Sequence, residues 1–289
     1  MPEVKRVSVE GLMEADERIV LSEGAPNRLE GVWPDRRFYA VSRLELHLYR
    51  SPNAPRARAL VYPGGGYLDL VHDKEGVAVA LWLAGLGVDA YVVTHRLPGQ
   101  ADPLSLKTWP SDIARADGLA CLDYLQWLPQ LPLLHVGLSS GGHLAGVMAC
   151  QDHPVRAAGL IVGYAPLNAN HRNYKAPAGK PDYPPVEKQA FYDRWPIGVA
   201  GEPHGIPAVP AFLVYALRDE PVPLEHALNF LTAMRRSGGD VEAHIFPDAP
   251  HGFALRDLDG THGQWPELAG QWITRTLARG EAALSPKGP

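Results

Sequence analysis

The chain has 289 residues, is 46% hydrophobic and 20% charged, and carries a formal net charge of −5. Those values place it among ordinary globular proteins of one or two domains with a large core. The negative charge and the lack of any basic run exclude the usual footprint of a nucleic-acid partner. Charges are scattered through the first twenty residues without an apolar core, so no signal peptide is expected. The longest uncharged stretch, Tyr124 to Gln151, holds two prolines, several glycines and two histidines, and a membrane helix is not expected there. The two cysteines, Cys121 and Cys150, form neither a disulfide framework nor a metal set. Two free thiols in a reducing, cytoplasmic compartment are the expectation.

In chain order, RLELHLYR (43–50) alternates apolar and polar residues and predicts a half-exposed strand. RALVYP (58–63) is a short apolar run ending at glycines, which predicts a buried strand. EGVAVALWLAGLG (75–87) has helical spacing and stops at Gly87, and VDAYVVTH (88–95) predicts another buried strand. SDIARADGLACLDYLQWL (111–128) predicts an amphipathic helix capped by Ser111 or Asp112. A strand over 132–138, a helix over 140–151 and a strand over 157–166 follow. Residues 167–209 are rich in proline and tyrosine with no period, which predicts a lid or binding loop. A strand over 210–219, a helix over 224–238, a strand over 241–247 and a helix over 265–279 complete the pattern, with a frayed tail after Gly280.

Strand and helix alternate from residue 58 onward. That order predicts an α/β fold: a mostly parallel central sheet with helices on both faces and antiparallel N-terminal strands at one edge. In such sheets, sites gather beyond the carboxyl ends of the strands. One of those ends carries Gly137-Leu138-Ser139-Ser140-Gly141, a G-x-S-x-G pattern between a strand and a helix. That context predicts a sharp turn exposing Ser139 near a helix N-terminus, where developing negative charge is favoured.

A serine hydroxyl needs a base. Of twelve histidines, His251 follows the final strand and completes the order Ser139, Asp219, His251, with Asp219 at the end of FLVYALRD. Glu220 is the nearest competing acid and Asp248 the second. His143 rides on the helix after the serine and is expected to pack, His244 lies within a strand, and His72, His95 and His171 lie near strand ends or loops. Gly64-Gly65-Gly66, just after a strand, leave backbone amides free to meet an oxyanion, with the Ser140 amide as a partner donor. No Lys-Ser/Thr follows those glycines, so they do not form a phosphate loop.

On these motifs the chain resembles the esterase/lipase branch of the α/β-hydrolase superfamily, and within it the acetylxylan-esterase-like group that includes feruloyl and acetyl esterases. YPGGGY, GLSSGGHLAG, FLVYALRDEPVPLEHALNF and HGFAL carry the likeness, which runs over roughly residues 40–280. Pro63 stands where His-Gly-Gly-Gly loops carry His. The resemblance implies Ser139, Asp219 and His251 as a catalytic triad and Gly65, Gly66 and Ser140 as oxyanion donors. It also implies a serine carboxylesterase acting on short acyl esters, with an acetylated sugar as the substrate class. The chain is expected to act as one domain over 1–289, without metal or cofactor, on a small-molecule ester. Self-association is left open. Tyr67, His72, Tyr192 and Trp195, with Tyr174, Tyr183 and Phe191, are the candidates to wall a substrate pocket. A histidine base ordinarily titrates near about 6.5, so activity is expected to fall at acid pH. An amidase, formamidase or peptidase with the same triad, or a non-catalytic binding protein of this fold, are the alternatives.

Overall fold

The structure, a computed structural model, describes residues 14–103, 105–168, 184–202, 204–256 and 258–284, with side chains as far as Gly280. Eight strands form one sheet: β1 (Glu17–Val20), β2 (Glu45–Tyr49), β3 (Ala57–Tyr62), β4 (Val88–Thr94), β5 (Leu133–Leu138), β6 (Ala157–Gly163), β7 (Ala211–Ala216) and β8 (Val241–Phe246). Their spatial order is β1-β2-β4-β3-β5-β6-β7-β8. β1 and β2 run antiparallel at one edge, and β3 to β8 are mutually parallel. This is the sheet that the alternating pattern predicts.

The parallel strands read as continuous apolar runs because both faces are covered. In β3, Ala57, Ala59 and Val61 enter one core, while Leu60 and Tyr62 enter the other. The first core is closed by α1 (Ala78–Gly85), through Val79 and Leu83, and by α6 (Trp265–Leu284), through Trp272 and Ile273. The second is closed by α2 (Ile113–Leu125), α3 (Ser140–Ala149), α4 (Val186–Arg194) and α5 (Glu225–Ser237), through residues such as Leu122, Leu144, Phe191 and Phe230. A π-helical turn, His72–Val77, leads into α1.

The structure departs from expectation in several elements. β2 is buried along its whole length rather than half-exposed. Its polar positions are covered because they satisfy each other: His47 Nε2 lies 3.1 Å from Glu45 Oε2, and Arg43 Nε donates to Glu45 Oε1 at 2.6 Å. The helix expected from residue 75 begins at His72 and changes winding at Ala78. Helix α4 lies inside the interval read as a loop, and α6 continues past Gly280 to Leu284. Tyr174, Tyr183 and His171 fall outside the described residues.

Candidate active site

The segments following β3, β5, β6, β7 and β8 meet at one end of the sheet and bring together residues spread over nearly two hundred positions of sequence. Ser139 comes directly after β5 with φ 51° and ψ −131°, a conformation L-residues rarely hold. The turn is fixed by two backbone bonds: Ser139 N–H donates to Gly163 O at 2.8 Å, and Gly142 N–H donates to Ser139 O at 2.9 Å. The flanking glycines are steric necessities. A Cβ on Gly137 would overlap the Gly141 carbonyl, and one on Gly141 would overlap the Tyr62 carbonyl. The serine therefore projects from a tight elbow onto the start of α3, whose first amides have no intrahelical acceptors.

Ser139 Oγ lies 3.2 Å from His251 Nε2, and His251 Nδ1 lies 2.7 Å from Asp219 Oδ2. The other carboxylate oxygen, Asp219 Oδ1, accepts the Val222 amide at 2.8 Å. The Asp219 side chain is fully buried, whereas that of His251 is 26% exposed. The order is therefore a buried acid, a half-sheltered imidazole and a hydroxyl facing a cavity. Such an arrangement can move a proton from the serine to the imidazole while the acid holds the ring's other nitrogen protonated.

The competing groups are exposed or paired with other partners. Asp248 is exposed and pairs with Arg218 at 2.8 Å, and Glu220 is exposed. His143 Nε2 lies 2.8 Å from the Trp195 carbonyl, so this nitrogen carries the proton and Nδ1 accepts the Tyr67 hydroxyl at 2.9 Å. Burial pushes His143 down to about 4, against the opposing effect of the bond to Trp195, which suits a neutral packing residue. His244 pairs with Glu242, and His95 bonds the Arg96 carbonyl.

The glycine loop after β3 lies against the elbow. Gly65 and Gly66 have φ of +130° and +66°. The Gly64 amide donates to Glu75 Oε2 at 2.9 Å, and the Gly66 amide donates to Ser140 Oγ at 2.9 Å. Gly65, Gly66, Ser139, Ser140 and His251 all line a cavity of about 450 Å³. Charged side chains also reach its wall: Arg37 with its partner Asp69, Lys74, Glu75 and Lys188.

Of the aromatic candidates among the described residues, only Tyr192, on α4, lines this cavity. Tyr67, His72 and Trp195 are buried and do not line it. Tyr67 is spent on His143, Trp195 Nε1 donates to Asp112 Oδ1 at 2.9 Å, and His72 packs edge-on against Phe38 and His47. Phe191 is likewise buried, edge-on to Tyr67. Two residues that sequence reasoning passed over stand close to the triad. Tyr164, the residue after β6, sets its ring edge-on to His251 at 5.1 Å, and its hydroxyl donates to Glu75 Oε1 at 3.2 Å. Tyr164 had a signal in its strand-end position; Glu75 had none, because an acidic residue at a helix start reads as solvated.

Among the described residues, no group of three His, Cys, Asp or Glu side chains is placed to hold a metal ion, and no helix is long and apolar enough to cross a membrane.

Comparison with known proteins agrees with this geometry. The profile of the prolyl oligopeptidase family matches residues 116–277, a span that contains the elbow, Asp219 and His251. An acetylxylan esterase of Xylanibacter ruminicola is 26% identical over 245 residues, covering 81% of this chain and 48% of its own length. The acylamino-acid-releasing enzyme 2 of Oryza sativa subsp. japonica is 24% identical over 204 residues, covering 62% of this chain and 25% of its own. The chain thus spans about half the length of the first relative and a quarter of the second. Among solved structures, an acetyl ester-xyloside bifunctional hydrolase from Caldicellulosiruptor lactoaceticus superposes with a TM-score of 0.61 at 22% identity, over 92% of this chain and 98% of that one.

Proposed function

We propose, from the premise that this chain belongs to the prolyl oligopeptidase family, that it is a serine carboxylesterase of the α/β-hydrolase superfamily, acting on short acyl esters and first of all on acetyl esters of carbohydrates. One geometry carries the reading: the unbroken Ser139–His251–Asp219 relay, at 3.2 and 2.7 Å, opening on a cavity. In the proposed reaction Ser139 Oγ attacks the ester carbonyl carbon as its proton passes to His251 Nε2. The carbonyl π electrons move to oxygen, giving a tetrahedral oxyanion. The amides of Gly65, Gly66 and Ser140 receive that charge, and each such donor is ordinarily worth about 10²–10³ in rate. Collapse breaks the bond to the leaving oxygen, which takes the proton from His251. Water then gives a proton to the imidazole and attacks the acyl-serine carbon; collapse breaks the acyl–Oγ bond, Ser139 Oγ takes the proton back from His251, and the carboxylic acid leaves.

The names of the acetylxylan esterase and of the acetyl ester-xyloside hydrolase favour an acetylated sugar as the substrate class. Tyr192, which lines the cavity, is the aromatic side chain proposed to meet it. Two unpaired thiols, Cys121 and Cys150, favour a reducing, cytoplasmic setting. Ser139→Ala is expected to abolish nearly all turnover of short p-nitrophenyl esters, and labelling by a fluorophosphonate, with an unchanged melting curve. Full activity in that variant overturns the assignment. A panel of matched acetyl esters, acetylated xylo-oligosaccharides and acylamino-acid amides separates the ester reading from the amide chemistry named in the second relative. Faster turnover of the amides would transfer the proposal to them.

A further inference from the structure

Resting on that reaction, we infer that Glu75 is a positioning residue for it: its buried carboxylate ties the glycine loop to the wall behind His251 and sets a second negative charge near the imidazole. Glu75 is only 4% exposed, yet it lies at the cavity containing Ser139 and His251. A carboxylate in such a place is costly unless its oxygens are satisfied. Both are. Oε2 accepts the Gly64 amide at 2.9 Å, and Oε1 accepts the Tyr164 hydroxyl at 3.2 Å. Two donors aimed at two oxygens favour the ionised form.

Each bond reaches a different half of the machinery. Gly64 opens the loop that carries the proposed oxyanion donors, and it has no room for a side chain. A Cβ there would overlap Glu75 Oε2 and lie 2.7 Å from Ser139 Cβ. The loop is thus held between the carboxylate and the nucleophile. Tyr164 is pinned by its own amide, which donates to Val214 O at 2.7 Å, and its ring abuts His251. A Cβ on Gly252, the residue after His251, would lie 3.8 Å from Glu75 Oε1 and 3.9 Å from Lys74 Nζ. Glu75 itself sits in the π-helical turn, a winding often found at functional sites.

Among the described residues, Ser139 from the elbow, Asp219 after β7, Tyr164 after β6, and Glu75 with Lys74 from the π-helical turn stand near His251, and Arg37, Asp69 and Lys188 line the same cavity. Burial raises the Glu75 carboxyl above its ordinary range, while the charge of His251, the Gly64 amide, the Tyr164 hydroxyl and Lys74 oppose that rise. An ionised Glu75 favours the imidazolium that forms as Ser139 attacks.

Glu75→Gln tests this. The amide oxygen can serve one of the two donors but not both, and the charge is gone. On p-nitrophenyl acetate, kcat is expected to fall about tenfold or more with KM little changed, and the acid limb of kcat/KM is expected to move to lower pH by about half a unit or more. Glu75→Asp, which keeps the charge, is expected to return the limb toward its original position. Tyr164→Phe removes one donor that favours the ionised carboxylate and is expected to move the limb the same way by less. It decides the matter if Glu75→Gln does not fold. Unchanged kcat and an unmoved acid limb in Glu75→Gln overturn the inference. So does a loss of kcat with no movement of the limb in either Glu75→Gln or Tyr164→Phe. Failure of the unmutated enzyme to hydrolyse the ester would instead bring down the esterase reading on which this rests.

Discussion

Asp219→Asn probes the relay at its least accessible point. The carboxylate accepts two bonds, the Val222 amide at Oδ1 and His251 Nδ1 at Oδ2, and its side chain is fully buried. An asparagine has one acceptor oxygen. The Val222 amide can only donate, so it captures that oxygen and turns the NH₂ group toward His251. Nδ1 must then accept, which moves the ring proton to Nε2, the nitrogen facing Ser139 Oγ at 3.2 Å. The base is now blocked by its own proton although the contacts survive. Loss of a correctly oriented tautomer in a serine protease triad costs about 10⁴ in kcat, or about 5 kcal/mol of transition-state stabilisation. The assay is steady-state hydrolysis of p-nitrophenyl acetate beside a thermal melt, with Asp248→Asn as the control because that carboxylate is exposed and paired with Arg218. A drop of about 10³–10⁴ in kcat in the first variant and none in the second is expected. Activity of Asp219→Asn within about tenfold of the unmutated enzyme would refute the tautomer reasoning.

Gly141→Ala places a methyl group on the Tyr62 carbonyl, and backbone must shift to admit it. A cost of about 3 kcal/mol or more is expected, read by calorimetry as a fall of about 6 °C or more in Tm; an unchanged Tm would mean that the elbow tolerates what its geometry forbids. Acid is expected to destabilise the fold. Burial pushes His135 down to about 3 and His143 to about 4, below their unfolded value of 6.5. Their contribution is therefore complete above about pH 6.5 and is lost progressively as pH falls toward those folded-state values, since the unfolded chain binds protons first. A Tm that stays flat between about pH 6.5 and 4 would contradict this.

The triad was legible in the sequence because each member follows shortly after a strand, and strand periodicity is a strong local signal. Ser139, Asp219 and His251 needed only the order of elements to be brought to one end of the sheet. The walls of the cavity were not legible. Whether Tyr67 or Trp195 faces a substrate or a neighbouring side chain depends on partners such as His143 and Asp112, far away in sequence. Strand β1 escaped because ERIV is four residues long and half of it is charged. Helix α4 escaped because VEKQAFYDR is short and largely polar, lacking a sustained apolar stripe, and it packs chiefly through Phe191 and Tyr192. Glu75 looked like any acid opening a helix; its role depends on Gly64 and Tyr164, which only the folded sheet brings to it.

In the reaction proposed above, the bond from the Gly66 amide to Ser140 Oγ would bear on selectivity between ground and transition states. A neutral ester carbonyl arriving at that amide gains little, because it must displace an acceptor about as good as itself. An oxygen bearing full negative charge is a much stronger acceptor and wins the exchange. If Gly66 is an oxyanion donor as proposed, this contact inside the resting protein would act as a threshold, withholding the Gly66 hydrogen bond from a merely bound substrate and granting it to one whose carbonyl has already begun to break.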